Sequence, residues 1–200
     1  GLGEENRALE NAQKFARYFG SDPQRRRVAA NVVFSIGQIY SDRVTRLRRQ
    51  AAGASSEQRH EIDRQIRTAW NDVIRHYSGF MRTYATQGTL DQQIQGAVAL
   101  ARGYWNIQDY RQAEQYFNQA VTAWGQAQGE APAAGESDRR QTSGERQIRE
   151  QLGDEAGDAV EKSREAVAEA KFHLAEVLYN RFMAARVPAY SGGSTRRAFD

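Results

Sequence analysis

The stretch "AVALARGYWNIQDYRQAEQYFNQAV", residues 97–121, decides the fold. Ala97, Leu100, Ala101 and Tyr104 recur at helical spacing, and after a short polar break Tyr110, Ala113, Phe117 and Ala120 do the same. The pattern predicts two helices joined by a tight turn. It places small residues where the helices touch and rings just beyond.

The same periodicity extends outward. Upstream, Leu9, Ala12, Phe15, Ala16 and Phe19 predict a helix over residues 4–19, stopped at "GSDP", where Gly20 suits a C-cap and Asp22-Pro23 begins the next helix. That helix carries Val28, Val32, Phe34, Ile36, Ile39 and Tyr40 and continues in arginine-rich form through Leu47. "AAGASSEQ" breaks it, with Ser55 or Ser56 as N-cap of a long helix bearing Ile62, Ile66, Trp70, Val73, Ile74, Tyr77, Phe80 and Tyr84. From Gln126 to about Gly157 the apolar pattern collapses into Gly, Ser and charged residues, the composition of a flexible insertion. Cleavage is expected first near Arg139, Arg140, Arg146 or Arg149. Helix returns with Val160, Val167, Ala170, Phe172, Leu174, Ala175, Leu178 and Phe182, ending at Pro188. No segment sustains period-two alternation, so the chain reads as all-α.

Composition narrows the function. The 200 residues are 40% hydrophobic and 26% charged, enough for a sizeable core, and nowhere do 18 apolar residues run together. No membrane insertion is expected. There is no cysteine, which excludes disulfides, thiolate metal sites and thiol nucleophiles. The formal charge is only +3, yet residues 25–49 hold Arg25, Arg26, Arg27, Arg43, Arg46, Arg48 and Arg49 against Asp42 alone. Without the basic-aromatic interleaving of a nucleic-acid module, this run reads as a solvated helical face. Its first residues do not read as a signal peptide, and the chain reads as a piece of a longer polypeptide, or a processed one.

Residues 94–127 resemble the tetratricopeptide repeat (TPR), a 34-residue helix-turn-helix unit. Leu100, Ala101 and Tyr104 on the first helix, then Asp109-Tyr110, Ala113, Phe117, Ala120 and Val121, carry the resemblance. Ala97 and Gly125 stand where the family usually has Trp and Pro. The small residues have a steric reason: two antiparallel helices approach closely only with Ala or Gly at the crossing, here Ala101 against Ala113. Tyr104, Tyr110 and Phe117 would fill the wedge beside them. "VVFSIGQIY" repeats the spacing with Val33, Ile36, Gly37 and Tyr40, and "AEAKFHLAEVLYNRF" repeats it with Leu174, Ala175 and Leu178.

The resemblance implies a right-handed superhelical array of antiparallel helix pairs, a TPR-like α-solenoid. Residues 1–127 would form the array, 128–157 the insertion, 158–187 a further repeat helix and 188–200 a tail or the start of the next helix. The first helices of successive repeats would line a concave groove that holds a peptide or helix of a protein partner. By register, the groove would present Asn31, Phe34, Gln38, Gln95, Val98, Arg102, Trp105 and Asn106. Trp105 leads this set, because tryptophan is enriched among interface hot spots. Val98 and Arg102 stand where carboxylate-gripping members have lysine and asparagine, so that mode is not expected.

The implied role is a non-enzymatic scaffold within a multi-protein complex. Arg-rich, Lys-poor usage points to a GC-rich bacterial genome. The resemblance suggests envelope-associated machinery such as secretion, pilus or motility systems, with periplasm or cytoplasm left open. The alternative is a structural subunit packing against itself or its neighbours, as a homo-oligomer or longer array, without a groove ligand. Half-repeats at the two ends, Leu9, Phe15 and Phe19 at one and Phe172, Leu178 and Phe182 at the other, would each expose an apolar stripe.

Catalytic readings have little to stand on. His60, His76 and His173 show no ligand spacing, and "HEIDR" lacks the second histidine of a zinc-protease helix. Asp154, Glu155 and Asp158 lie in a polar stretch with no apolar wall to raise a carboxyl pKa. No phosphate-binding loop is present. No catalytic residue, metal site or cofactor is expected.

Overall fold

The computed structural model describes residues 2–22, 24–126, 143–153 and 156–184. Among them are seven helices and no strand: α1 (Leu2–Phe19), α2 (Arg26–Ala52), α3 (Ser56–Thr83), α4 (Leu90–Asn106), α5 (Tyr110–Gln126), α6 (Ser143–Leu152) and α7 (Ala156–Ala184). The all-α expectation holds for these residues. No helix among them is long and apolar enough to cross a membrane.

Local chemistry fixes the boundaries. Ser55 caps α3 reciprocally: its Oγ accepts from Gln58 N at 3.4 Å while Ser55 N donates to Gln58 Oε1 at 3.1 Å. At the start of α4, Thr89 N likewise donates to Gln92 Oε1 at 3.2 Å. Between α4 and α5 the chain turns at Gln108, whose φ of 66° lies in the left-handed region. Asp109 then opens α5, its Oδ1 accepting from Gln112 N at 3.1 Å.

The helices pack in chain order, α1 on α2, α2 on α3, α3 on α4 and α4 on α5, after which α7 covers both α5 and α4. Helix α4 is the pivot, with ten of its 17 residues buried. One apolar cluster joins Leu100 to Phe34, Val73, Tyr77 and Phe80 of α2 and α3; the other joins Ile94, Ala97, Val98 and Ala101 to Phe117, Ala120, Ile148, Val160 and Val167. Burying one such large side chain stabilises the fold by about 1.5–3 kcal/mol.

Close approach depends on two glycines. A Cβ on Gly37 of α2 would lie 2.5 Å from the Tyr77 ring of α3, and one on Gly103 of α4 would lie 2.6 Å from Ile74 Cγ1, also of α3. Ala101 and Ala113 are fully buried in one cluster, as a crossing point requires. Tyr110 departs from expectation: it is half exposed, and the ring stacked on Tyr104 is Tyr116, at 5.6 Å between centroids.

Two further readings need correction. The insertion predicted over 128–157 falls partly outside the described residues, but residues 143–152 form α6 and dock. Ile148 is fully buried, Gln151 Oε1 accepts from Leu90 N at 2.9 Å, and Glu145 accepts from Arg164 of α7 at 2.7 Å. The N-terminal end is not an open apolar half-repeat either. Leu9 is buried by the chain's own helices, and Phe15 and Phe19 are half-buried, 4.7 Å apart. The expected tail, 188–200, lies outside the described residues.

Candidate functional site

Helices α2, α4 and α7 run side by side along one face and leave a trough between them. It consists of two adjoining pockets, of about 490 and 410 Å³, that share Ser41, Asp42, Ala99 and Arg102. The larger adds Arg48, Trp70, Trp105, Asn106, Glu169 and His173; the smaller adds Gln38, Tyr77, Gln95, Val98, Lys162 and Glu165. The second and third walls follow from the same helical spacing. On α4, Gln95, Val98, Arg102 and Trp105 share one face, and on α7 Lys162, Glu165, Glu169 and His173 do so.

Six of the eight residues expected in a groove line this trough: Gln38, Gln95, Val98, Arg102, Trp105 and Asn106. Two do not. Phe34 is a core residue, 5% exposed, with its ring edge-on to Tyr77 and Phe80. It turns inward because α2 is packed on by α1, α3 and α4, which leaves a narrower free face than register alone implies. Asn31 is exposed beyond the end of the pockets, where its Oδ1 accepts from Gln92 Nε2 at 2.9 Å. Val98 contributes floor rather than a reaching side chain, being 1% exposed.

Sequence reasoning missed Ser41, Asp42, Arg48, Trp70 and the whole α7 wall. The signal covers only part of the last of these: Glu169 and His173 lie in "AEAKFHLAEVLYNRF", which resembles a groove-lining first helix, whereas Lys162 and Glu165 lie upstream of it.

The trough is polar and internally cross-linked. Arg102 donates from Nε and Nη2 to both carboxylate oxygens of Glu169, a two-point pairing that ties α4 to α7. That carboxylate holds the Arg102 guanidinium even more firmly protonated than usual. Arg48 of α2 donates to Asn106 Oδ1, whose Nδ2 donates to the Arg102 carbonyl at 2.7 Å. The Arg48 guanidinium also sits 5.3 Å above the Trp70 ring.

Trp105 sits among other rings at the edge of this surface. Its ring meets His173 at 4.6 Å and Tyr110 at 5.0 Å, while His173 stacks on Phe117 at 4.9 Å. Behind it, a further cavity of about 450 Å³ opens between α5 and α7, lined by Trp105, Tyr110, Glu114, Val177 and Arg181. His173 Nδ1 lies 2.7 Å from Glu176, which fixes the ring. Burial pushes the Tyr77 hydroxyl well above the usual phenol range, and so keeps it neutral at the trough floor.

Chemically, the surface offers guanidinium, carboxylate, amide and indole groups at half-exposed positions along two helices' length. Among the described residues, no group of three or more His, Asp or Glu is placed to hold a metal ion. The seven arginines from Arg25 to Arg49 are solvent-exposed, and of these only Arg48 lines the trough. Comparison with protein-family models, with curated proteins and with solved structures gave no match.

Proposed function

We propose that the chain is a non-enzymatic scaffold whose trough holds an extended or helical segment of a protein partner. The observation that carries this reading is the trough itself. Three helices that alternate with covering helices in the chain, α2, α4 and α7, present one continuous polar and aromatic surface. Its charges line an open surface, with Arg102 and Glu169 paired across α4 and α7, which suits gripping side chains and backbone amides better than activating a reacting group. We read the helix order as a TPR-like right-handed array: α2 with α3, α4 with α5, and α7 as the first helix of a third pair. The small residues Gly37, Ala101 and Ala175 occupy equivalent register on α2, α4 and α7.

Selection from a displayed library of random 12-residue peptides on the immobilised chain tests the reading. We expect binders that Asp42→Arg and Arg102→Ala each weaken by at least about 10-fold, corresponding to roughly 1.4 kcal/mol. Affinity should depend only modestly on salt, unlike the steep loss of a phosphate-backbone binder. Binders indifferent to both substitutions, or none at all, would overturn the trough as the binding surface. The second reading, a structural subunit, is favoured by a different surface, taken up next.

A further inference from the structure

Along α7, one face is buried and lines the core through Val160, Ser163, Ala166, Val167 and Ala170. Over the C-terminal half of the helix an adjoining face is apolar and exposed. Phe172, Leu178 and Tyr179 are 61–62% exposed and Phe182 is 73% exposed. Ala168 and Ala175 lie open between them. Four large apolar side chains on one stripe are more than scattered surface residues require. Within the chain itself, the equivalent small residues of α2 and α4 are covered: Gly37 by Tyr77 of α3, and Ala101 within the α4–α5 core.

We propose that this face pairs with the same face of a second copy, antiparallel, about a two-fold axis at Ala175. The stripe is self-complementary about that residue. Positions three, four and seven residues to either side of Ala175 all lie on the exposed face, so the symmetry sets Phe172 against Leu178, Lys171 against Tyr179, and Ala168 against Phe182. Large meets small at the outer pair. The lysine meets a ring face at the middle pair, where its ammonium is attracted to the ring. An isologous contact forces any residue on the axis to face its own copy, and alanine there is uncharged and permits close approach.

Head-to-tail stacking is disfavoured by the other end of the molecule. The outward side of α1 is mostly charged: around the exposed Tyr18 it carries Arg7, Glu10, Asn11, Lys14 and Arg17, all exposed, with Lys14 paired to Glu10 at 2.7 Å. Covering α7 with that face would desolvate these charges against an apolar stripe. A single helix-helix contact is smaller than the standard interface, so the dimer is expected to be reversible. It also goes beyond the trough reading, since none of the stripe residues lines the trough.

Sedimentation equilibrium of the full chain between about 1 and 100 µM tests the pairing. The mass should rise from the 22.6 kDa monomer toward twice that value. Leu178→Glu and Phe182→Glu, both at exposed positions, should remove the association and leave the helical circular dichroism unchanged. The axis has its own test. Ala175→Glu and Ala175→Lys should each be monomeric, because like charges meet, while an equimolar mixture of the two should recover a heterodimer. A chain monomeric throughout, whether the α7 face is open or covered by a segment of its own, overturns the proposal. So does a dimer that survives Leu178→Glu and Phe182→Glu, or a failure of the mixture to associate when wild type does.

Discussion

His76 faces into the fold from α3, its Nε2 donating to the Val33 carbonyl at 2.7 Å and its ring 5.5 Å from Tyr40. Burial lowers its pKa below the ordinary value, with the Val33 contact opposing in part. The unfolded chain therefore binds this proton more readily than the folded one. The stabilisation is present above the unfolded pKa, about 6.5, and is lost as pH falls below it. We expect urea midpoints to drop between about pH 7.5 and 5.5, and to drop less in His76→Gln, which keeps a donor for Val33 but does not titrate. Equal pH dependence of the two proteins would refute this. At the same scale, the buried crossing residues Ala101 and Ala113 were legible, because close helix packing admits few residue types. Tyr110 was not, since sequence spacing does not say which of two nearby rings, Tyr110 or Tyr116, turns inward.

Helix α6 shows what an element needs in order to be recognised. Ten residues are too few to hold helix alone, and "SGERQIREQL" offers only Ile148 and Leu152 to a core. Composition therefore reads as linker. Docking supplies the rest through partners far away in sequence: Leu90 for Gln151 and Arg164 for Glu145. Ile148 is the anchor. Ile148→Ala should cost about 2–4 kcal/mol in chemical denaturation. It should also convert Arg149, exposed but held in helix, from a slow to a fast tryptic site. A variant with wild-type stability and wild-type cleavage at Arg149 would mean that α6 is not held by that side chain. The long helices α2, α3, α4, α5 and α7 were legible because each repeats its apolar pattern over four turns or more.

For the molecule as a whole, burial is distributed unevenly along the packing order. Helices α3, α4 and α5 are covered on both sides, whereas α1 touches only α2 closely and α7 leaves its last turns open. Arrays in which each element contacts its neighbours open from the ends. Amide hydrogen exchange should be slowest in α4 and α5, and fastest in α1 and in α7 beyond Phe172. Uniform protection across all helices would indicate a single cooperative unit instead. The trough was partly legible at this scale. Periodicity placed the α4 wall almost completely, but the α7 wall depends on how far α7 swings across α4. That is set by the Arg102–Glu169 pair and the α5 contacts, not by either helix's own pattern.

The two glycine seats on either side of α3 have a consequence for descent. Tyr77 fills the space where Gly37 lacks a side chain, and Ile74 does the same at Gly103. A single added methyl at either glycine forces a large neighbour on another helix to shrink or move. Drift at these sites must therefore be correlated, while the charged outer faces are free to change. Kinship among such chains would survive as matched small and large partners on different helices, long after any contiguous stretch of sequence had ceased to look alike.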